Sequence, residues 1–280
     1  MNRHLFLISN PGNPNDKNYV KAAKGAIDRW EAFFRSPIGG YWQDGEITRF
    51  GEQKPILSDS FRRMMIALNT VQFDYSIIVF CGHGGCTIDN VDAIQLPIPT
   101  PENHNLLKVD DLLGGGNTLV RRTIILDACR SLIPLSSEQL FEVKQFSEVF
   151  KLDGEDCANY YNSLVMGANP HVEVLYSTSG HHKAFATLIG SEYADAMSQF
   201  VNSNSVRWKS LAIQDEYGHY DLSMYDFQVA MKEELATGNK QVPDYKSIGD
   251  SSRSFPFVAL HLPTTRSLYN SGAIIRIIED

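Results

Sequence analysis

Tyr75-Ser76-Ile77-Ile78-Val79-Phe80-Cys81 runs into Gly82-His83-Gly84-Gly85, and Arg122-Thr123-Ile124-Ile125-Leu126-Asp127 runs into Ala128-Cys129-Arg130-Ser131. Both are short apolar runs rich in β-branched residues. That pattern suits strands covered on both faces, as in a parallel sheet. Ligands of open α/β sheets sit outside the carboxyl ends of the strands. If the two strands are parallel neighbours, His83 and Cys129 reach that edge together. Imidazole is the side chain whose ordinary titration lies near neutrality, and a thiol is a latent nucleophile. Together they are the minimum kit for a cysteine nucleophile with a histidine partner.

The flanking sequence continues the alternation of strand and helix. Leu5–Ser9 reads as a first strand, followed by the turn cluster Asn10 to Asp16, where Asn15 or Asp16 can cap the next helix. Apolar residues at three- and four-residue steps predict that helix over Asn18–Phe34, with Ser36-Pro37 ending it. Ile47–Phe50 reads as a short strand and Ser58-Asp59 opens a second helix. After Gly85 comes an irregular, proline-rich stretch, then a short helix over Leu106–Leu113. Helices are predicted over Phe141–Phe150, Asp156–Met166, Glu192–Val201 and Met224–Leu235. Strands are predicted over Val172–Thr178, Phe255–Leu260 and Ala273–Ile278. Alternating strands and helices imply an α/β fold with a mostly parallel central sheet flanked by helices.

The 280 residues make one large domain or two small ones. Apolar residues are 43% and charged residues 21%, an ordinary globular balance. The net charge of −8 argues against nucleic acid as a ligand and mildly favours a basic peptide. No stretch approaches the eighteen or so apolar residues of a membrane span. The apolar run near Met1 is too short for a signal peptide. Of the four cysteines, Cys81, Cys86, Cys129 and Cys157, Cys81 ends a strand and Cys129 follows one, so these two read as reduced and internal, and a cytoplasmic location is expected.

Cys129 stands 46 residues after His83, within Asp127-Ala128-Cys129-Arg130-Ser131. Caspases place Gln-Ala-Cys-(Arg/Gln/Gly)-Gly about 50 residues after a histidine. On these motifs the chain resembles the caspase–metacaspase superfamily, from roughly Leu5 to Leu260. Leu175-Tyr176-Ser177-Thr178-Ser179-Gly180 resembles the family's next strand and its substrate-binding loop. The resemblance implies a single caspase-like three-layer sandwich. A large-subunit-like part would span about 1–131, an insert about 132–170 and a small-subunit-like part about 171–280. It also implies a cysteine endopeptidase with Cys129 as nucleophile and His83 as general acid–base. Tight turns at Gly82 and Gly84 would bring the backbone close to the reacting carbon. The backbone N–H groups of Gly84 and Cys129 would form the oxyanion hole. Ser177, Thr178 and Ser179 would bind the peptide substrate as an added strand.

Metacaspases carry Asp two places before the nucleophile, where it binds Lys or Arg; caspases carry Gln there. Asp127 holds that position, and His182-Lys183-Ala184-Phe185-Ala186 lacks the arginine that caspases use for aspartate. Cleavage after Lys or Arg is therefore expected, with Asp16 a second pocket candidate. Lys144 and Lys151 would then be candidate processing sites. The plainer readings make Cys129 a buried small hydrophobe, His83 a turn residue and Asp127 a cap for backbone amides. No metal or other cofactor is expected. Cys81, His83 and Cys86 lack the geometry of a zinc knuckle. Calcium activates many metacaspases, but Asp89, Asp92, Asp110 and Asp111 lack a ligand-loop spacing. A regulatory protein partner, and a role in bacterial regulated proteolysis or antiviral defence, rest on the resemblance. The competing class is a non-catalytic module that holds a peptide strand in the same groove.

Overall fold

The computed structural model describes residues 1–12, 15, 19–51, 73–86, 92–95, 106–113, 120–129, 153–179, 190–201, 206–236, 241–249 and 252–262. Of Cys129 and some other residues in these ranges only the backbone is described. The central sheet is built on β1 (Arg3–Asn10), β2 (Ile47–Phe50), β3 (Tyr75–Cys86), β6 (Arg122–Cys129), β7 (Val172–Tyr176) and β10 (Asp244–Ile248). Their order across the sheet is β10-β7-β6-β3-β1-β2. All neighbours are parallel except β10, which runs antiparallel to β7. Two short strands, β4 (Asp92–Gln95) and β5 (Leu106–Lys108), extend the far end of β3 as an antiparallel arm.

Side-chain alternation along the strands explains why the central runs are apolar throughout. Leu5, Leu7, Ile77, Val79, Ile125 and Leu175 enter one core, while Phe6, Ile8, Ile78, Phe80, Ile124, Leu126 and Val174 enter another. Both faces of the sheet are thus buried, so both alternate sets of positions along these runs are apolar and the few buried polar residues of the strands, such as Thr123, Asp127 and Glu173, are exceptions. The first core is closed by α1 (Ala22–Arg35), α2 (Gly154–Gly167), α3 (Glu192–Phe200) and α5 (Met224–Ala236). On α1, Ala23, Ala26, Ile27, Trp30, Phe33 and Phe34 share the buried face. Burial of each large side chain of this kind contributes roughly 1.5–3 kcal/mol. Between α3 and α5 lie α4 (Val206–Leu211), β8 (Ile213–Gln214) and β9 (His219–Ser223). With β11 (Pro256–His261), β8 and β9 form a separate antiparallel sheet in the order β11-β9-β8. Among the described residues no helix is long and apolar enough to cross a membrane.

Several local expectations need correction. β3 does not stop at Cys81: it continues through Cys86, and Gly84 and Cys86 pair with Ile94 and Asp92. Gly82 and Gly84 are therefore strand residues rather than tight turns. The Leu106–Leu113 helix is instead strand β5 followed by a single 3-10 turn over Val109–Leu112. Antiparallel pairing of Leu106–Lys108 with Ala93–Gln95 overrides its helical spacing. α1 opens after Lys21 without a side-chain cap, rather than on a cap from Asn15. Strands β4, β5, β8, β9 and β10 and helix α4 have no counterpart among the elements expected from sequence. The expected helices over 58–68 and 141–150, the expected strand over 273–278, Asp16, Asp89, Lys144 and Lys151 lie outside the described residues.

Candidate active site

The parallel ladder between β3 and β6 runs from Ser76↔Arg122 to His83↔Cys129, with Cys81↔Asp127 and Gly82↔Ala128 between. His83 and Cys129 are therefore direct neighbours across two adjacent strands. Backbones at such positions are about 4.8 Å apart. The pair stands at the carboxyl end of the parallel ladder, where β3 leaves β6 to pair with β4. It is also next to the point where strand order reverses, because β1 is flanked by β2 on one side and β3 on the other. Clefts form at such switch points because successive connections leave on opposite faces of the sheet.

Just past β1, Gly12 comes close to this edge. Gly12 has φ of 86°, a left-handed conformation that favours glycine. A side-chain carbon there would lie 3.9 Å from Cδ2 and Nε2 of His83, so this backbone lies close to the imidazole. Gly82 has a different reason to lack a side chain. A Cβ on it would meet the Asn10 carbonyl oxygen at 2.5 Å and Phe80 Cζ at 3.1 Å. Glycine here lets β1 and β3 stay in register up to Asn10↔Gly82. His83 itself is half-buried, as is Gly84.

Asp127 is placed two residues before Cys129 and is only 2% exposed. Its Oδ2 accepts from Trp30 Nε1 on α1 at 3.2 Å and from Ser191 Oγ. Ser191 is the N-cap of α3 and also accepts from the Ala194 amide at 2.9 Å. The carboxylate therefore ties the strand that ends in Cys129 to two helices. Its Oδ1 is buried with no hydrogen-bond partner among the described residues. Burial raises the Asp127 pKa to about 6, and the Asp195 charge adds to the rise. Hydrogen bonds from Ser191, Trp30 and the weakly donating Cys81 thiol oppose it. Asp195 is itself paired with Arg29 at 2.9 Å.

Trp30 and Ser191 are site residues that sequence reasoning missed. Along the chain Trp30 looks like one more apolar position on α1. Ser191 carries a readable signal, a serine one residue before a helix that begins with Glu192. Among the other expected site residues, Ser177 and Thr178 are buried and their hydroxyls have no partner among the described residues. The Ser177 amide donates to the Leu126 carbonyl at 3.0 Å, and the Ser179 amide to the Val242 carbonyl at 2.6 Å. This loop is thus held between β6 and the approach to β10. Cys81 and Cys157 are buried, reduced thiols.

The architecture has counterparts among solved structures. The Drosophila initiator caspase Dronc aligns over 90% of this chain and 82% of its own, with TM-score 0.53 and 9% identity. Caspase-1 of Spodoptera frugiperda aligns over 88% and 86%, with TM-score 0.51 and 10% identity. The fold is caspase-like. A protein from Geobacter sulfurreducens shares it too, over 93% of this chain and 100% of its own, with TM-score 0.52 and 12% identity. The sequence matches no protein-family model and no curated protein. At these identities the likeness to caspases is one of fold. It agrees with the mostly parallel sheet, flanked by helices, expected from the sequence.

Proposed function

We propose that this chain is a caspase-like cysteine endopeptidase that uses a Cys129–His83 dyad and cleaves after Lys or Arg. The observation that carries the reading is the pairing of His83 with Cys129 at the carboxyl edge of a caspase-like sheet. In this reaction the Cys129 thiolate attacks the substrate carbonyl, and the amide N–H groups of Gly84 and Cys129 stabilise the resulting oxyanion. His83 gives its proton to the departing amine, which breaks the C–N bond and leaves an acyl-enzyme. Water, deprotonated by His83, then releases the carboxylic product and restores the thiol.

Asp127 is assigned to selection of the basic side chain. A carboxylate with one oxygen lacking a partner in a water-poor site is costly unless something completes it. An incoming guanidinium or ammonium would supply the missing partner and favour the ionised form. Ser177, Thr178 and Ser179 are assigned to the peptide-binding edge. Asp16 remains the second candidate for the pocket.

The test is a panel of fluorogenic peptides with Arg, Lys, Asp or Leu before the scissile bond, run beside Cys129→Ala and His83→Ala. Turnover of the Arg and Lys peptides that both substitutions abolish is the expected result. Covalent capture of wild type by a peptidyl-arginine acyloxymethyl ketone, absent in Cys129→Ala, identifies the nucleophile directly. Preference for Asp or Leu would overturn the specificity. A folded wild type that neither turns over any peptide nor reacts with the ketone would favour the non-catalytic peptide-binding module.

A further inference from the structure

Away from the dyad, the small sheet carries two histidines on facing strands. His219 of β9 is the direct cross-strand partner of His261 of β11. The Leu262 amide donates to the Gly218 carbonyl at 2.8 Å. That bond, one residue out from the pair, marks His219 and His261 as a non-hydrogen-bonded pair. In antiparallel sheets these pairs have the closer Cα atoms, about 4.5 Å apart, and the closer side chains. The two imidazole centroids are 4.6 Å apart with the planes tilted by 35°.

One ring is held by a carboxylate, and the other faces one at longer range. His219 Nδ1 lies 2.7 Å from Asp215 Oδ2, and the other Asp215 oxygen accepts the His219 backbone amide at 2.9 Å. His261 Nδ1 faces Asp156 Oδ2 at 3.9 Å. Each Nδ1 is thus the nitrogen on the carboxylate side, which leaves Nε2 of both rings as the ligating atom. Metal-binding histidines are characteristically held by such a carboxylate on the other nitrogen. The His219 ring is further fixed by stacking on Tyr160 at 4.3 Å and 18°, and Tyr160 is anchored by its hydroxyl on Asp221 at 2.9 Å. The histidine side chains are 27% and 22% exposed, so an ion can enter from solvent without unfolding.

We propose that His219 and His261 form a two-imidazole binding site for a divalent transition-metal ion of the Zn2+ type, stapling β9 to β11. Zinc bonds imidazole nitrogen at about 2.0–2.1 Å, which requires the two Nε2 atoms within about 3–3.5 Å of each other. The centroids are 4.6 Å apart, so side-chain rotation has to turn the two Nε2 atoms toward a common point for both to bond one ion. Among the described residues no cluster of three or more His, Cys, Asp or Glu side chains is placed to hold a metal, so water completes the coordination. Imidazole ligands favour Zn2+, Ni2+ and Cu2+ over Ca2+ or Mg2+. This site shares no strand or helix with His83 and Cys129, and it stands whether or not the protein is a protease.

The test is titration of the full chain with Zn2+, followed by calorimetry and by NMR of 15N-histidine-labelled protein. Wild type should take up one equivalent that shifts the Nε2 resonances of His219 and His261. His219→Ala and His261→Ala should each weaken that uptake at least tenfold. Asp215→Asn should weaken it about tenfold, as expected for loss of an orienting carboxylate. Zn2+ should raise the Tm of wild type and not of either histidine variant. Equal stoichiometry and affinity in wild type and both variants would overturn the assignment. So would Zn2+-saturated wild type whose His219 and His261 signals do not move, a readout that needs no variant to fold.

Discussion

Asp127→Asn tests the buried carboxylate by its pH dependence. The folded pKa is raised from the ordinary 3.8 to about 6, so the folded state binds this proton more tightly than the unfolded chain. Below pH about 4 both states are protonated and the group costs nothing. Between the two values the unfolded chain ionises while the folded one does not. Stability falls as pH rises through this window. Above pH about 6 the whole penalty is present. Two pKa units at about 1.4 kcal/mol each come to about 3 kcal/mol. Asparagine keeps a side-chain oxygen for Trp30 and Ser191 but carries no charge, so the variant lacks this loss. Urea unfolding of both proteins in a Cys129→Ala background, at a series of pH values, would follow the difference. The Asp127→Asn variant should gain about 3 kcal/mol on wild type between pH about 4 and neutrality, with an unchanged denaturant slope. Any constant offset from packing the amide does not affect that change. A difference that stays flat with pH would refute the reasoning, because the carboxylate would then not be carrying a buried charge.

The same group predicts a profile for activity: kcat/KM for Arg peptides should rise through pH about 6 in wild type, and Asp127→Asn should abolish the preference for basic residues. Ser191→Ala removes a donor on Asp127 Oδ2 and should destabilise by about 1–3 kcal/mol, read by urea unfolding at neutral pH. Gly82→Ala drives a carbon into the Asn10 carbonyl and should cost about 1–3 kcal/mol while lowering peptide turnover, measured on the same preparation. Glu173 is fully buried, and its Oε1 accepts from His171 at 3.0 Å, Tyr245 at 2.9 Å and the Phe255 amide at 3.2 Å. Glu173→Ala should therefore cost about 3–5 kcal/mol in thermal or urea unfolding. Burial pulls the His171 pKa down, but its bonds to Glu173 and to the Asn169 carbonyl outweigh that, and the net shift is upward. The pair's contribution is complete in mild acid and fades as pH climbs through the folded value, so the cost of His171→Gln should shrink toward alkaline pH.

Elements whose periodicity agrees with their packing are legible in the chain. Ile47–Phe50, the apolar face of α1, and helices α2, α3 and α5 follow the expected spans within a few residues. The helices each bury one continuous stripe, so spacing and environment say the same thing. The missed elements are different in kind. β9 and β10 are largely half-exposed or exposed, and β8 is fully exposed. Their side chains alternate weakly, and what makes them strands is pairing with partners distant in sequence. β5 reads as helix because three residues cannot display a period. β3 is longer than its apolar run because its glycines, usual signs of a turn, serve a close approach to β1 and a ladder with β4.

By itself the sequence determined that two apolar β-branched runs end near a histidine and a cysteine. It also determined that the surrounding chain alternates strand and helix. Those facts are local, set by residue type and spacing. Only the tertiary structure decided that the runs are parallel neighbours in a register that pairs His83 with Cys129. Only it showed that Asp127 is bound to Trp30 and Ser191, 97 and 64 residues away along the chain. Strand order, register and the donors around a buried charge depend on long-range packing. No local spacing encodes them, because each is settled by which distant apolar faces and hydrogen-bonding groups satisfy one another when the sheet closes.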